Sequence, residues 1–131
     1  MPIRKTVFNL FMVMIALLLS AHPGPAQEET AAAAEKLMIW QLEALKNEDH
    51  QQFIEHGNKA FKELMDEHSF ESLVMQRRAK LARGYKLEYF GAIRSIGMQK
   101  HLWRVNITGD KYQLLGSLSV SHGKVVGFDL E

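Results

Sequence analysis

Four aromatic side chains in the C-terminal half of the chain are the best candidates for polar chemistry. They are Tyr89, His101, Trp103 and Tyr112. A phenol and an imidazole held together in an apolar pocket can polarise a carbonyl group or move a proton. The same side chains could instead fill a core and find hydrogen bonds at its edge, which is the more common arrangement. The sequence therefore predicts that these residues share one pocket or one core.

A second group of candidate residues is cationic and lies at the end of a predicted helix. Its members are Arg77, Arg78, Lys80 and Arg83. Cations near the C-terminus of a helix interact favourably with the helix dipole, which is a sufficient structural reason for them. The alternative is an anion-binding site, because clustered Arg and Lys side chains are the usual footprint of an anionic partner.

Most catalytic signatures are absent from the sequence. There is no zinc-protease HExxH, no phosphate-binding P-loop, no dinucleotide GxGxxG and no GxSxG. The chain has no cysteine, and its histidines do not occur in pairs with ligand spacing. We therefore predict no catalytic residue, no metal and no cofactor, although the question of an enzyme stays open.

The candidate aromatic residues lie in runs that alternate apolar and polar side chains, as half-buried strands do. The run 100–108 places His101, Trp103, Val105 and Ile107 on one side. The run 112–120 places Tyr112, Leu114, Gly116, Leu118 and Val120 on one side. In the last run, which follows Gly123, one side has Val126, Phe128 and Leu130 and the other has Val125, Gly127 and Asp129. Gly109-Asp110 and His122-Gly123 have the composition of tight hairpin turns.

A fourth strand is predicted over Tyr85–Ser95, before a turn at Gly97. Its alternation places Leu87, Tyr89, Gly91 and Ile93 on one side. Gly91 within the run suggests a bulge or a bend.

Three helices are predicted before the strands. The first covers 28–46, with an apolar stripe at spacings of three and four residues. The second begins at Asp49, which has a glutamine three residues later as in a capping box, and continues to about residue 67. Gly57 could end a short helix there, kink a longer one, or let another segment of backbone approach closely. The third covers 70–83, with Ser69 as its N-cap.

These elements predict an α+β fold, with three N-terminal helices packed on one face of a curled, mostly antiparallel four-stranded sheet. Residues 27–131 are long enough for one domain with a modest core.

Residues 1–26 have the pattern of a cleaved secretory signal peptide. Arg4 and Lys5 precede an apolar run over 7–19, and Gly24-Pro25-Ala26 offers small residues for a cut after Ala26. The alternative is an uncleaved anchor, the only route by which we expect a membrane association. Both alternatives export the domain to a bacterial periplasm or a secreted fluid, where nucleic acid is a poor partner.

Charge is divided unevenly along the predicted domain. Residues 27–75 carry eleven acidic residues and four lysines, a net charge of −7, whereas residues 76–131 carry ten Lys or Arg and four acidic residues, a net charge of +6. Attraction between an acidic helical layer and a basic sheet explains this division. A basic sheet surface for an anionic ligand is the alternative.

One further pattern spans most of the predicted domain and consists of Asp49, Phe53, Trp103, Val105, Gly109, Leu118, Ser119, Gly123, Lys124, Val125, Gly127 and Phe128. This pattern resembles the nuclear-transport-factor-two-like (SnoaL-like) α+β cone superfamily, and within it small secreted bacterial members of unknown function. It implies a cone with a pocket, and the sheet as the surface through which homodimers would form. The superfamily includes isomerases, dehydratases and ligand binders, but its pocket Asp and Tyr pair cannot be matched here, so no catalytic role transfers.

The sequence favours an exported binding or interaction domain for a small apolar ligand or a protein partner. One alternative is a small pocket enzyme, an isomerase or lyase, that uses Tyr89, His101 or Tyr112. The other is a binder of anionic envelope components through the Arg77–Arg83 cations and those of the sheet.

Overall fold

The structure, a computed structural model, describes residues 30–131. The predicted signal peptide and its cleavage site lie outside these residues. The described part of the chain has four helices: α1 Ala31–Lys46, α2 His50–Ile54, α3 Lys59–Leu64 and α4 Glu67–Ala82. No helix among them is long and apolar enough to span a membrane.

The helix count differs from the predicted three because the second predicted helix is two short helices. The break lies at Gly57, which pairs with Val125 of the last strand in an isolated parallel bridge. The amide of Asn58 donates to the Val125 carbonyl at 3.0 Å, and the amide of Val125 donates to the His56 carbonyl at 2.8 Å. The backbone between the two helices is therefore used for sheet-like pairing, which a continuous helix would prevent.

Side-chain caps begin each helix. Asp49 accepts a hydrogen bond from the amide of Gln52, so the predicted start of α2 is confirmed. The predicted N-cap at Ser69 is wrong: Asp66 is the cap, and it accepts from the amide of Ser69 at 2.8 Å. That hydrogen bond also lowers the pKa of the Asp66 carboxyl below its ordinary value.

The sheet contains four antiparallel strands in the order of the sequence and is not closed. The strands are β1 Tyr85–Ser95, β2 Met98–Ile107, β3 Gln113–Ser121 and β4 Lys124–Leu130. The predicted α+β class and both predicted hairpins are confirmed. The turns at Gly97, Gly109 and Gly123 all use positive φ, which a residue without a Cβ adopts easily.

Two bulges change which side chains face the helices. In β1 the pairing shifts between Tyr89 and Gly91, so Phe90 is an extra residue and Ile93 faces outward, contrary to the predicted alternation. In β4 a similar shift makes Val126 the extra residue, and Val125 pairs with Val120 and is fully buried. After a bulge, each residue of the strand points to the opposite face of the sheet from the one that simple alternation predicts.

The core lies between the helices and one face of the sheet. Its largest fully buried side chains include Trp103, Phe53 and Phe61. Phe53 of α2 has ring contacts with Phe61 of α3, Phe70 of α4 and Phe128 of β4, at centroid distances of 5.2–5.9 Å. One side chain thus joins three helices to the sheet.

Candidate functional site

Three of the four predicted pocket residues meet on the sheet face that the helices cover. Tyr89 is directly opposite Trp103 in the β1–β2 pair, and His101 precedes Trp103 by two residues on the same face. The rings lie 5.5 Å apart for Tyr89 and Trp103, and 6.0 Å apart for the stacked His101 and Trp103. The Tyr89 hydroxyl is 2.9 Å from Nδ1 of His101. We call these three residues the aromatic cluster.

Exposure differs within the aromatic cluster. His101 and Trp103 are buried, whereas Tyr89 is 39% exposed and forms the side of the cluster nearest to solvent. Burial of the phenol raises the pKa of Tyr89 above its ordinary value, so this hydroxyl stays protonated at neutral pH. It can therefore donate a hydrogen bond, either to a neutral His101 ring or to an acceptor that approaches from outside.

Helix α1 approaches the sheet closely beside the aromatic cluster. The approach is made over Gly116, which is opposite Trp103 in the β2–β3 pair. A Cβ atom at Gly116 would lie 2.5 Å from Cε of Met38, so the absence of a side chain leaves room for this methionine. Gln41 follows Met38 by three residues, on the same side of α1, and its amide therefore faces the core.

Two polar groups in this region are buried without a hydrogen-bond partner. Gln41 is 2% exposed, and neither its amide nitrogen nor its amide oxygen has a partner in the described part of the chain. The same is true of the indole nitrogen of Trp103. A buried polar group left unpaired costs about 1–3 kcal/mol. Sequence reasoning missed Gln41, although a glutamine within the apolar stripe of α1 was a visible signal.

Tyr112, the fourth predicted pocket residue, is not brought to the aromatic cluster. It precedes β3, is 69% exposed, and its ring lies 5.0 Å from the ammonium group of Lys111. Its amide donates to Asp110, and this hydrogen bond is the main reason why the pKa of the Asp110 carboxyl is lowered. Tyr112 therefore belongs to the β2–β3 turn, at the end of the sheet away from His101.

The four predicted anion-binding cations contact groups of their own chain. Nε of Arg77 donates to the Leu130 carbonyl at 2.9 Å, and Nε of Arg78 donates to the Lys46 carbonyl at 3.3 Å. Lys80 is 3.6 Å from the carboxylate of Asp110, whose pKa Arg83 also helps to lower. These contacts give the cations a structural role in tying α4 to α1, to β4 and to the β2–β3 turn.

Two clefts lie on the helical side of the molecule, away from the aromatic cluster. One of about 710 Å³ is lined by Trp40 and polar residues of α2. The other, of about 430 Å³, has His50, Phe70 and Met75 in its lining together with three glutamates. Nε2 of His50 lies 2.8 Å from the Met65 carbonyl, so this imidazole holds α2 against the end of α3.

The geometry defines an open-sheet α+β domain with a half-exposed phenol and a buried imidazole on the face of the sheet that the helices cover. In the part of the chain that the structure describes, neither the buried amide of Gln41 nor the indole nitrogen of Trp103 has a hydrogen-bond partner. Within residues 30–131, no group of three or more His, Asp or Glu residues is placed to hold a metal ion. Comparison with protein-family models, with curated protein sequences and with solved structures gave no match.

Proposed function

We propose that this chain is an exported binding domain for a small, mainly apolar molecule that carries an acceptor oxygen, such as a ketone. The ligand contacts the aromatic cluster and reaches Gln41. One observation carries this proposal: Gln41 and Trp103 hold buried polar atoms that have no hydrogen-bond partner among the described residues. The indole nitrogen of Trp103 can only donate a hydrogen bond, so its natural partner is an acceptor.

The free energy of these unpaired groups supports a binding role. Native structures leave few buried polar groups unsatisfied, and the exceptions are frequently functional. Each of these groups costs the ligand-free domain stability, and a leucine at position 41 would recover the part that is due to Gln41. Proteins commonly accept such a cost where a polar group is needed for function.

We also propose that the sheet curls into a cone and that the chain is related to the nuclear-transport-factor-two-like proteins. The order of elements, helices first and then an antiparallel sheet, supports this relationship. The bulges at Phe90 and Val126 support the curl, because bulges bend and twist the strands that contain them. The leader pattern of residues 1–26 supports export.

Replacing Gln41 by leucine should separate stability from binding. Leucine keeps the volume and helix preference of glutamine but removes both unpaired atoms. The Gln41→Leu variant should therefore unfold with a free energy about 1–2 kcal/mol higher than that of the wild type. It should also lose affinity for the apolar anion 1-anilinonaphthalene-8-sulfonate, followed by the dye's fluorescence.

The matched control is Gln51→Leu, which makes the same change at an exposed position of α2. Its unfolding free energy should stay within about 0.5 kcal/mol of the wild-type value. A destabilised Gln41→Leu variant would show that this amide is satisfied in solution. Unchanged dye affinity would place the bound dye elsewhere.

A second candidate function is a pocket enzyme that moves a proton next to a carbonyl group. The contact of 2.9 Å between the Tyr89 hydroxyl and Nδ1 of His101 favours it, because such a pair can donate to a carbonyl and accept a proton. Turnover of a bound ketone would distinguish an enzyme from a binder.

A further inference from the structure

Two turns of the sheet lie at the same end, away from the β2–β3 turn. The first joins β1 to β2 through Ile96 and Gly97, and the second joins β3 to β4 through His122 and Gly123. The hydroxyl of Ser121 donates to the Gly97 carbonyl and so joins the two turns. We define the tip surface of the sheet as Ile93, Ile96, Met98, Lys100 and Lys124.

Large apolar side chains are exposed on the tip surface. Ile96 is fully exposed at the turn, Ile93 is 60% exposed, and Met98 is 40% exposed. Ile93 faces outward because the bulge at Phe90 reverses the alternation of β1. Exposed apolar side chains that cluster together commonly mark an interaction surface.

The charge at this end of the sheet has a single sign. Residues 89–101 and 116–128 contain no Asp or Glu, and they include Arg94, Lys100 and Lys124. Lys100 is directly opposite Ile93 on the outer face, and Lys124 pairs with Ser121 at the second turn. The cations therefore flank the exposed apolar side chains.

This arrangement differs from that of the cations on α4. Arg77, Arg78 and Lys80 each contact a carbonyl or carboxylate of their own chain. Among the described residues, no acidic side chain forms an ion pair with Lys100 or Lys124. Their charge remains directed to solvent, as an anionic surface would require.

We propose that the tip surface docks on a lipid bilayer that contains anionic headgroups. Ile93, Ile96 and Met98 enter the headgroup region, and Lys100 and Lys124 contact phosphate groups. Apolar insertion combined with basic residues is how peripheral proteins bind anionic membranes. A symmetric contact with a second copy fits this surface poorly, because it would place like charges opposite one another.

A label at the turn tests the docking directly. The chain has no cysteine, so Ile96→Cys creates a single site for the polarity-sensitive nitrobenzoxadiazole dye. With the full chain and vesicles of phosphatidylcholine and phosphatidylglycerol, the dye emission should rise and shift to shorter wavelength. A dye at Lys111→Cys, in the turn at the opposite end, should not respond. The leader is present in both labelled chains and cannot produce this difference.

Reversing the charge of the two lysines tests their electrostatic contribution to membrane binding. Because each lysine near an anionic membrane strengthens binding about fivefold, Lys100→Glu with Lys124→Glu should weaken the response of the Ile96 label at least 25-fold. Added salt should weaken it as well. An equal response to pure phosphatidylcholine, or no response to either vesicle, would overturn the proposal. A response that rises with protein concentration without vesicles would overturn it in favour of a second copy.

Discussion

Replacing Phe53 by alanine lowers the free energy of unfolding by about 3–5 kcal/mol, the usual cost of truncating a fully buried phenylalanine. The loss is large because Phe53 has ring contacts with Phe61, Phe70 and Phe128, which lie on three different elements. Since domains of this size are stable by about 5–15 kcal/mol, the variant should lose about a fifth or more of its stability. Urea denaturation followed by circular dichroism measures the loss.

Phe90→Ala is the matched control for this prediction. Phe90 is 57% exposed at the bulge of β1, and its ring lies 5.0 Å from the guanidinium carbon of Arg104. Removing an exposed cation–π contact should cost at most about 1 kcal/mol. Equal losses for the two variants would show that Phe53 does not join the helices to the sheet.

Replacing Gly57 by alanine is the second change with a large expected effect. A methyl group at this position would overlap Cδ1 of Phe61 and lie 3.1 Å from the carbonyl oxygen of Ile54. Phe61 is buried against Phe53 and cannot move aside easily. We expect a loss of about 2–3 kcal/mol, at the upper end of the cost of overpacking.

The control for Gly57→Ala is Gly127→Ala. A methyl group at Gly127 would approach Ser119 no closer than 3.4 Å, and neither glycine has a positive φ. Without a clash, replacing glycine by alanine stabilises a protein slightly, because the unfolded chain loses freedom. The two variants should therefore change stability in opposite directions in the same denaturation measurement. A stabilised Gly57→Ala variant would mean that the backbone of residues 55–58 does not lie against Phe61.

The strands were predictable because their signals are local. Glycines at the turns and alternating side chains located both hairpins, and the predicted bounds of β1, Tyr85–Ser95, agree with the structure. The same alternation placed Tyr89, His101 and Trp103 on one face. Local pattern is sufficient wherever neighbouring strands pair without interruption.

Bulges and long-range pairing explain what the sequence did not predict. Gly91 indicated a bulge, but not that Phe90 is the extra residue and that Ile93 consequently faces outward. Gly57 allowed three interpretations because the partner that decides among them, Val125, is distant in the chain. Tyr112 was placed by extending the alternation of β3 beyond the first residue of that strand.

The helix start at Asp66 was missed for a different reason. Asp66 and Ser69 are both good capping residues, and they lie three positions apart, the spacing of a cap and its bonded amide. Gln41 was missed because only apolar residues were considered as members of the stripe of α1. Its burial depends on how closely α1 approaches Gly116, which no local pattern specifies.

Nuclear magnetic resonance of the two indole N–H groups tests the proposed binding site most directly. Trp40 donates its indole hydrogen to the Gln52 carbonyl at 2.8 Å, whereas the indole nitrogen of Trp103 has no hydrogen-bond partner within residues 30–131. Small ketones, each compared with a hydrocarbon of the same shape, should shift the Trp103 resonance saturably and leave that of Trp40 in place. The hydrocarbons should shift the Trp103 resonance less than the ketones do. New resonances from a converted ketone would instead support the pocket enzyme. If no ketone moves the Trp103 resonance, or if both resonances move together, the proposed site is contradicted.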